Sequence, residues 1–452
     1  MHQSSASTTV LSPRKILTFW LPLAATWLMM AVEGPYVAAI IARLANPTAN
    51  LAAYGVAFSL AFVAEAPILM VMTASNTLVA DRQSFLAMRR FVYALNALLS
   101  TALAIGLLPP LFRFVTERLI GLPSDVSHLT HFALATLVLW PAAIGYRRFY
   151  QGILVRYHMP RRVAYGTIIR LVSMSVTAAG LALATPLPGA PVGAIALMTG
   201  VLAEAVASRW MAHTVVSALL NDRRAAAAEP LTPRAIARFY YPLALTSLIS
   251  VAVNPMVTFF LGRSRSAIES LAILPVVGGL VFLFRSGGIA YQEVAVALMG
   301  ASGKNERPVA RTALLLAGVS ALLLVAILFT PLAEVWFVGV SGLSPALGQF
   351  ALWPARMIAI IPAFEYLLSF QRSRFILARH TRVVTIASAV EVCTIAALLT
   401  AGIAGLNMTG ALAATTAMMV GRLAGNIFLF VPSVARSATQ PVVSPEPVLG
   451  GR

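Results

Sequence analysis

Three ionisable side chains stand deep inside apolar stretches of this 452-residue chain. Glu33 follows the run WLMMAV, Glu65 interrupts LAAYGVAFSLAFVAEAPILMVMTASNTLVAD at 51–81, and Arg285 interrupts LAILPVVGGLVFLFRSGGIAYQEVAVALMG at 271–300. A charge in the middle of hydrocarbon costs about 2.5–3.5 kcal/mol, so such groups face a partner, water or a ligand. A carboxylate in that position can take up a proton or Na⁺, and a guanidinium can hold an anion. Glu33 precedes Gly34 and Pro35, and proline within a helix leaves a backbone carbonyl of the preceding turn without its donor. A carboxylate beside a freed carbonyl is a candidate coupling-ion site, the alternative being a carboxylate bonded to a neighbouring helix. Asn254-Pro255 is the uncharged counterpart, able to donate and accept toward a substrate.

Glu65 and Arg285 are 220 residues apart, and at that offset Leu51, Ala52, Val56, Leu60 and Phe62 meet identical residues at Leu271, Ala272, Val276, Leu280 and Phe282. Two related helices therefore carry opposite charges at one depth. The pair is expected either to line a common cavity or to latch two halves together. Pro67 and Gly287 fall at matching positions beside it and are expected to kink their helices. Arg170 and Glu391 form a second set of near-equivalent, opposite charges, and Glu204 and Arg422 a third; structural pairing is expected for these, the alternative being water-filled pockets within each lobe. Arg209, Arg356, Glu293 and Glu365 are placed nearer helix ends, where long side chains reach the interface. The histidines show no metal-ligand spacing, and the single cysteine, Cys393, sits in an apolar run, which excludes an intrachain disulfide and predicts a buried, inert thiol.

The elements that must position these groups follow from composition. The chain is 59% hydrophobic and 11% charged, far below the roughly 25% charged residues of soluble domains, so it is a polytopic membrane protein. Its net charge of +18 lies mostly in short gaps between apolar runs, a pattern that reports topology and not a nucleic-acid partner. Taking roughly 20 apolar residues per crossing, twelve helices are predicted, near 17–43, 52–80, 90–112, 129–147, 163–185, 192–218, 238–261, 271–299, 311–333, 350–370, 383–405 and 409–432. Gaps on the side of the N-terminus hold most of the arginines, including Arg147, Arg148 and Arg372, whereas the other side has only Arg43, Arg113, Arg118, Arg263 and Arg265. Both termini are thus expected in the cytoplasm.

The polar gap NDRRAAAAEPLTPRAIAR is the natural linker, dividing the chain into a six-helix lobe at 1–220, a linker at 221–238, a second six-helix lobe at 239–433 and a tail at 434–452. Further matches support the repeat: Phe19 with Phe239, Pro22 with Pro242, Pro35 with Pro255, and Gln151 with Gln371. An even number of helices per half makes the repeats parallel, with a site expected in a central cavity between them. No G-x-x-x-x-G-K-[ST], H-E-x-x-H or G-x-S-x-G motif is present, so neither ATP-driven transport nor familiar hydrolysis has a signature, and no enzyme activity is expected.

On LAAYGVAFSL at 51–60, FYYPLAL at 239–245, Pro255 followed by Arg263, and Ala272-Ile273-Leu274, the chain resembles the progressive ankylosis protein family. On GILVRYHMPRRV at 152–163 it is similar to the wider multidrug, oligosaccharidyl-lipid and polysaccharide (MOP) flippase superfamily, which includes the multidrug and toxic compound extrusion (MATE) transporters. The resemblance implies a secondary transporter whose helices 1, 2, 7 and 8 line a cavity, exporting small organic or phosphorylated anions, or organic cations by H⁺ or Na⁺ antiport. The chain departs from the animal family at Glu65 and Asn254, so a substrate does not carry over. The expectation is a monomeric exporter in a bacterial inner membrane, in contact with lipid and a small anionic substrate. It needs no cofactor beyond a coupling H⁺ or Na⁺. A MATE-like cation antiporter, a lipid-linked oligosaccharide flippase and a non-transporting scaffold are the alternatives.

Overall fold

A computed structural model describes residues 11–157, 159–221, 231–299, 305–378 and 380–431. Residues 222–230 of the expected linker and all of the tail at 434–452 lie outside them. Helices occupy all twelve expected positions: α1 Pro13–Ile41, α2 Pro47–Leu78, α3 Arg82–Gly106, α4 Ser124–Arg156, α5 Pro160–Ala184, α6 Gly189–Met211, α7 Pro233–Val251 with its continuation Val253–Gly262, α8 Ala267–Met299, α9 Glu306–Leu328, α10 Pro345–Leu377, α11 Thr381–Thr400 and α12 Gly410–Phe430. Among the described residues ten spans are long and apolar enough to cross a membrane, and α3 with Pro109–Ile120, bent by 74°, makes an eleventh. α7 is the twelfth helix in the series, and its apolar stretch, Ser247–Gly262, falls short of that length.

Large apolar side chains such as Leu183, Trp210, Val206 and Leu406 point outward, which suits a hydrocarbon surround and would be untenable in water over so wide an area. With lipid outside, close packing rather than water exclusion holds the helices together, and small residues permit it. A Cβ on Gly200 of α6 would press on the Arg170 carbonyl and Met174 of α5, and one on Gly421 of α12 would press on Ile395 and the Glu391 carbonyl of α11. These glycines are repeat equivalents. The helix starts are built alike as well: Asn50 accepts from the Ala190 N–H at 2.8 Å and Ser270 from the Ala411 N–H at 3.0 Å, each supplying an acceptor to an otherwise unpaired helix N-terminus.

The expected kinks divide. α2 loses its regular helix directly after Glu65, passing through a 3₁₀ turn at Ala66–Ile68 that contains Pro67 and resuming at Val71. α7 is interrupted at Ala252, in the turn whose bond to Pro255 is missing. α1, in contrast, is continuous through Pro35, and α8 is one helix of 33 residues through Gly287 and Gly288. Gly287 serves close approach instead of bending: a Cβ there would collide with the Tyr366 hydroxyl and the Trp20 ring.

The facing helices of the two lobes are in contact at several levels. Toward the end where α1 begins and α12 finishes, hereafter the near end, the Trp20 indole donates to the Gly287 carbonyl at 2.9 Å and the Tyr240 hydroxyl donates to the Pro67 carbonyl. Pro35 packs on Gly279, and Thr258 donates to Ser59 at 3.2 Å. At the opposite, far end, Gly262 lies against Ile120.

Candidate functional site

The ionisable groups expected at mid-depth form two clusters, one inside each lobe. In the N-terminal lobe, Glu33 of α1 accepts from Arg170 of α5, with Nε at 2.7 Å from Oε1. The same guanidinium lies 3.6 Å from Glu204 of α6. Glu204 is also ion-paired with Arg147 of α4 and accepts from Gln151 at 2.9 Å. One carboxylate thus collects two guanidiniums, and one guanidinium collects two carboxylates, across four helices. Glu204 is 1% exposed, so removing any one partner would leave charge with no water to screen it.

Glu65 belongs to the edge of this cluster. Its Oε2 accepts from the Trp140 indole at 2.9 Å, and Arg148 stands 3.9 Å from Oε1. Of the two expectations for Glu65 and Arg285, a common cavity or a latch across the lobes, the latch is corrected: both oxygens of Glu65 are taken by residues of α4 in its own lobe. Arg285 likewise turns inward to its own lobe, donating from Nε at 2.9 Å and Nη2 at 2.7 Å to one oxygen of Glu365 on α10.

Around Glu365 the second cluster closes. Arg422 of α12 lies 3.6 Å from Glu365 and 3.2 Å from Glu391 of α11, and Arg372 of α10 reaches Ser388 at 3.3 Å. Arg170 and Glu391, at equivalent positions, do not meet each other; each joins the cluster of its own lobe. Asn254 is exposed on α7, where its carbonyl accepts from Thr258 at 3.0 Å.

Several residues missed by sequence reasoning are central here. Glu365 was expected to snorkel near a helix end and is instead 4% exposed at the middle of its cluster. Arg147 was placed in a loop as a topology marker and is buried on Glu204. The reason is common to both. α4 runs to Arg156 and α10 to Leu377, well past the apolar stretches from which their ends were predicted, because inside a bundle a charged turn stays helical when a buried counter-charge receives it. The exact match of Gln151 with Gln371 was the available signal that this turn belongs to the repeat. Cys393, expected to be buried, is exposed on α11.

Asp81, between α2 and α3, caps α3 by accepting from the Ser84 N–H at 2.8 Å while Ser84 Oγ accepts from the Asp81 N–H. The bond to the Ser84 backbone holds the Asp81 carboxyl below its ordinary value. Among the described residues no group of three or more His, Cys, Asp or Glu is placed to hold a metal ion. A cavity of about 550 Å³ opens at the start of α7, lined by Thr232, Arg234, Ala235, Arg238 and Phe239; none of the clustered charges contributes to it.

No protein-family model matches the sequence. No curated protein matches it either. Solved structures do. An inward-facing multidrug resistance MATE family transporter of the MOP superfamily superposes with a TM-score of 0.65 at 13% identity, over 92% of this chain and 96% of that one. A MOP superfamily transporter from Pyrococcus furiosus, described as having a binding pocket of reverse polarity that suggests a different function, gives 0.66 at 13% identity over 97% and 99%. The lipid II flippase MurJ, in an inward closed conformation, gives 0.68 at 12% over 93% and 89%. The chain has the two-lobed helical fold of the MOP superfamily transporters.

Proposed function

We propose that this protein is a secondary transporter that works by alternating access, exporting a small organic or phosphorylated anion against an H⁺ or Na⁺ gradient. The observation that carries the reading is the convergence of Glu33 and Glu204 on Arg170. Glu33 lies on α1, the helix whose Trp20 is bonded to α8 of the other lobe. Taking up a cation at Glu33 removes its attraction for Arg170, which Glu204 can still satisfy. α1 is then released from α5 while Arg170 keeps a carboxylate, Glu204, which it shares with Arg147. A mid-membrane carboxylate with a shared counter-ion is suited to cycling between ion-bound and free states, whereas a purely structural pair gains nothing from the sharing.

The anion is favoured by the balance of clustered charges. Glu33, Glu65 and Glu204 offset Arg147, Arg148 and Arg170 in the first lobe, whereas Glu365 and Glu391 face three arginines, Arg285, Arg372 and Arg422, in the second. The side chain of Arg285 remains 22% exposed, and Asn254 offers a neutral contact on the neighbouring facing helix. The lobes are taken to span 1–220 and 239–433, joined by 221–238 and followed by a tail at 434–452. The chain would act as a monomer in a bacterial inner membrane with both termini in the cytoplasm. The competing reading, a cation antiporter, is favoured by the MATE-like fold.

The test is uptake into proteoliposomes of labelled carboxylates and phosphate esters beside quaternary ammonium ions, under imposed pH and Na⁺ gradients. Glu33→Gln is expected to abolish stimulation by the gradient while substrate exchange at equilibrium persists. Gradient-driven transport unchanged in Glu33→Gln would remove Glu33 from the coupling role, and transport of the ammonium ions alone would establish the antiporter.

A further inference from the structure

Two of the five arginines at the far end, Arg43 and Arg263, share one geometry. Arg43, which follows α1, donates from Nη2 to the carbonyls of Gly339 and Val340 at 2.7 and 2.9 Å, both in the C-terminal lobe. Arg263, which follows α7, donates from Nη2 to the carbonyl of Arg118 at 2.9 Å, in the N-terminal lobe. The two are 220 residues apart. Their targets are equivalent too. Phe114–Ile120 and Val335–Val340 are both short π-helical segments, each followed by a glycine with positive φ, Gly121 at 89° and Gly342 at 74°. These glycines lie under the opposing arginine: a Cβ on Gly121 would meet Gly262 and Arg263, and one on Gly342 would meet Arg43.

The last carbonyls of a helical segment have no partner within it and carry the negative end of its dipole. A guanidinium supplies both the donors and the charge that such an end lacks. Each arginine is also held by its own helix, Arg43 through a bond from Nη1 to the Ala39 carbonyl at 2.7 Å and Arg263 by stacking its guanidinium 4.7 Å over the Phe259 ring. Each lobe therefore caps a helical segment of the other, by the same device, in both directions.

We infer that Arg43 and Arg263 form a reciprocal two-point latch that keeps the far end of the transporter closed, and that both bonds must break for that end to open. This rests on the alternating-access reading, but its test needs no transport. Because each guanidinium reaches the opposite lobe with Nη2 while its other nitrogen or its plane is fixed on its own helix, as a planar fork can and a single ammonium cannot, lysine cannot replace arginine. The latch also accounts for two of the five arginines on the side that carries few.

The experiment is a distance measurement by pulsed electron spin resonance on the full chain in lipid nanodiscs. In a Cys393→Ser background, labels at Ala45→Cys and Ala346→Cys, exposed positions on opposite lobes, report the far end. Labels at Gln83→Cys and Arg307→Cys, also exposed, report the near end. Arg43→Gln and Arg263→Gln are each expected to shift part of the far-end distribution to longer distance. The double variant, and equally the double lysine variant, should shift most of it. An unchanged far-end distribution in the double glutamine variant overturns the latch. Closure retained by the lysines alone overturns the role of the fork. Broadening of both label pairs together shows that the arginines hold the fold instead of a gate, and overturns the proposal as well.

Discussion

The two lobes solve one problem with opposite signs. At the 220-residue offset α2 carries Glu65 and α8 Arg285, and within one residue of it α5 carries Arg170 and α11 Glu391; the other buried charges, Arg147 and Glu204 in one lobe and Glu365 and Arg422 in the other, stand at positions that do not correspond at that offset. Each lobe nevertheless ends as a set of buried carboxylates shared among guanidiniums. What the repeat preserves is therefore the requirement for compensation inside a bundle, while the sign at any one position is free to change if its neighbours change with it. A buried pair contributes little when complete and costs a great deal when half of it is lost, so a charge persists inside either lobe only together with its partner.

The comparison would be broken most directly by neutralising the centre of each cluster. Glu204→Gln leaves Arg147 and Arg170 competing for Glu33, and Glu365→Gln leaves Arg285 without its carboxylate. Each is expected to destabilise by about 3–5 kcal/mol, measured by reversible unfolding in mixed micelles. The loss should be greater for Glu204, the more deeply buried and the one that also holds Gln151. A negligible loss at either site would mean that its cluster is hydrated.

A smaller effect sharpens the contrast at one repeat position. Gln151 donates to Glu204, whereas both amide atoms of the buried Gln371 are without a partner among the described residues. Gln151→Leu should cost about 1.5–3 kcal/mol, the value of a hydrogen bond to a charged group, and Gln371→Leu should be neutral or stabilising. Equal costs would show that Gln371 is satisfied by ordered water and that the lobes are more alike than their contacts indicate.

The smallest effect separates the starts of α3 and α9. α3 begins with the Asp81–Ser84 capping box, whereas Asn305 at the start of α9 makes no side-chain cap. Because the Asp81 carboxyl is held below its ordinary value in the fold, its contribution is complete above the unfolded carboxylate range. It is lost as pH falls through the lower, folded value. Asp81→Asn keeps a good cap and should flatten this acid limb of the stability profile while leaving neutral stability within about 1 kcal/mol. An unchanged acid limb would exclude Asp81 as its source.

Much of the architecture follows from the sequence alone. Hydrocarbon admits only helices that satisfy their own backbones, so apolar runs of sufficient length announce themselves, and all twelve positions, together with the repeat that relates Asn50 to Ser270 and Arg43 to Arg263, can be read from residue types and spacing. The same physics makes charges inside the runs conspicuous, which is why Glu33, Glu65, Arg170, Glu204, Arg285, Glu391 and Arg422 stood out.

Tertiary structure decided which of these groups meet. Depth along a helix is written in the sequence, but rotation about its axis and the identity of its neighbour are not, so two opposite charges at one level, Glu65 and Arg285, could be expected to pair although each has a nearer partner in its own lobe. The ends of α4 and α10 were hidden for a related reason. Arg147 and Glu365 look like interfacial residues until Glu204 and Arg285 are brought beside them, since a charged turn enters the bundle only when a counter-charge supplied by another helix replaces the water it gives up.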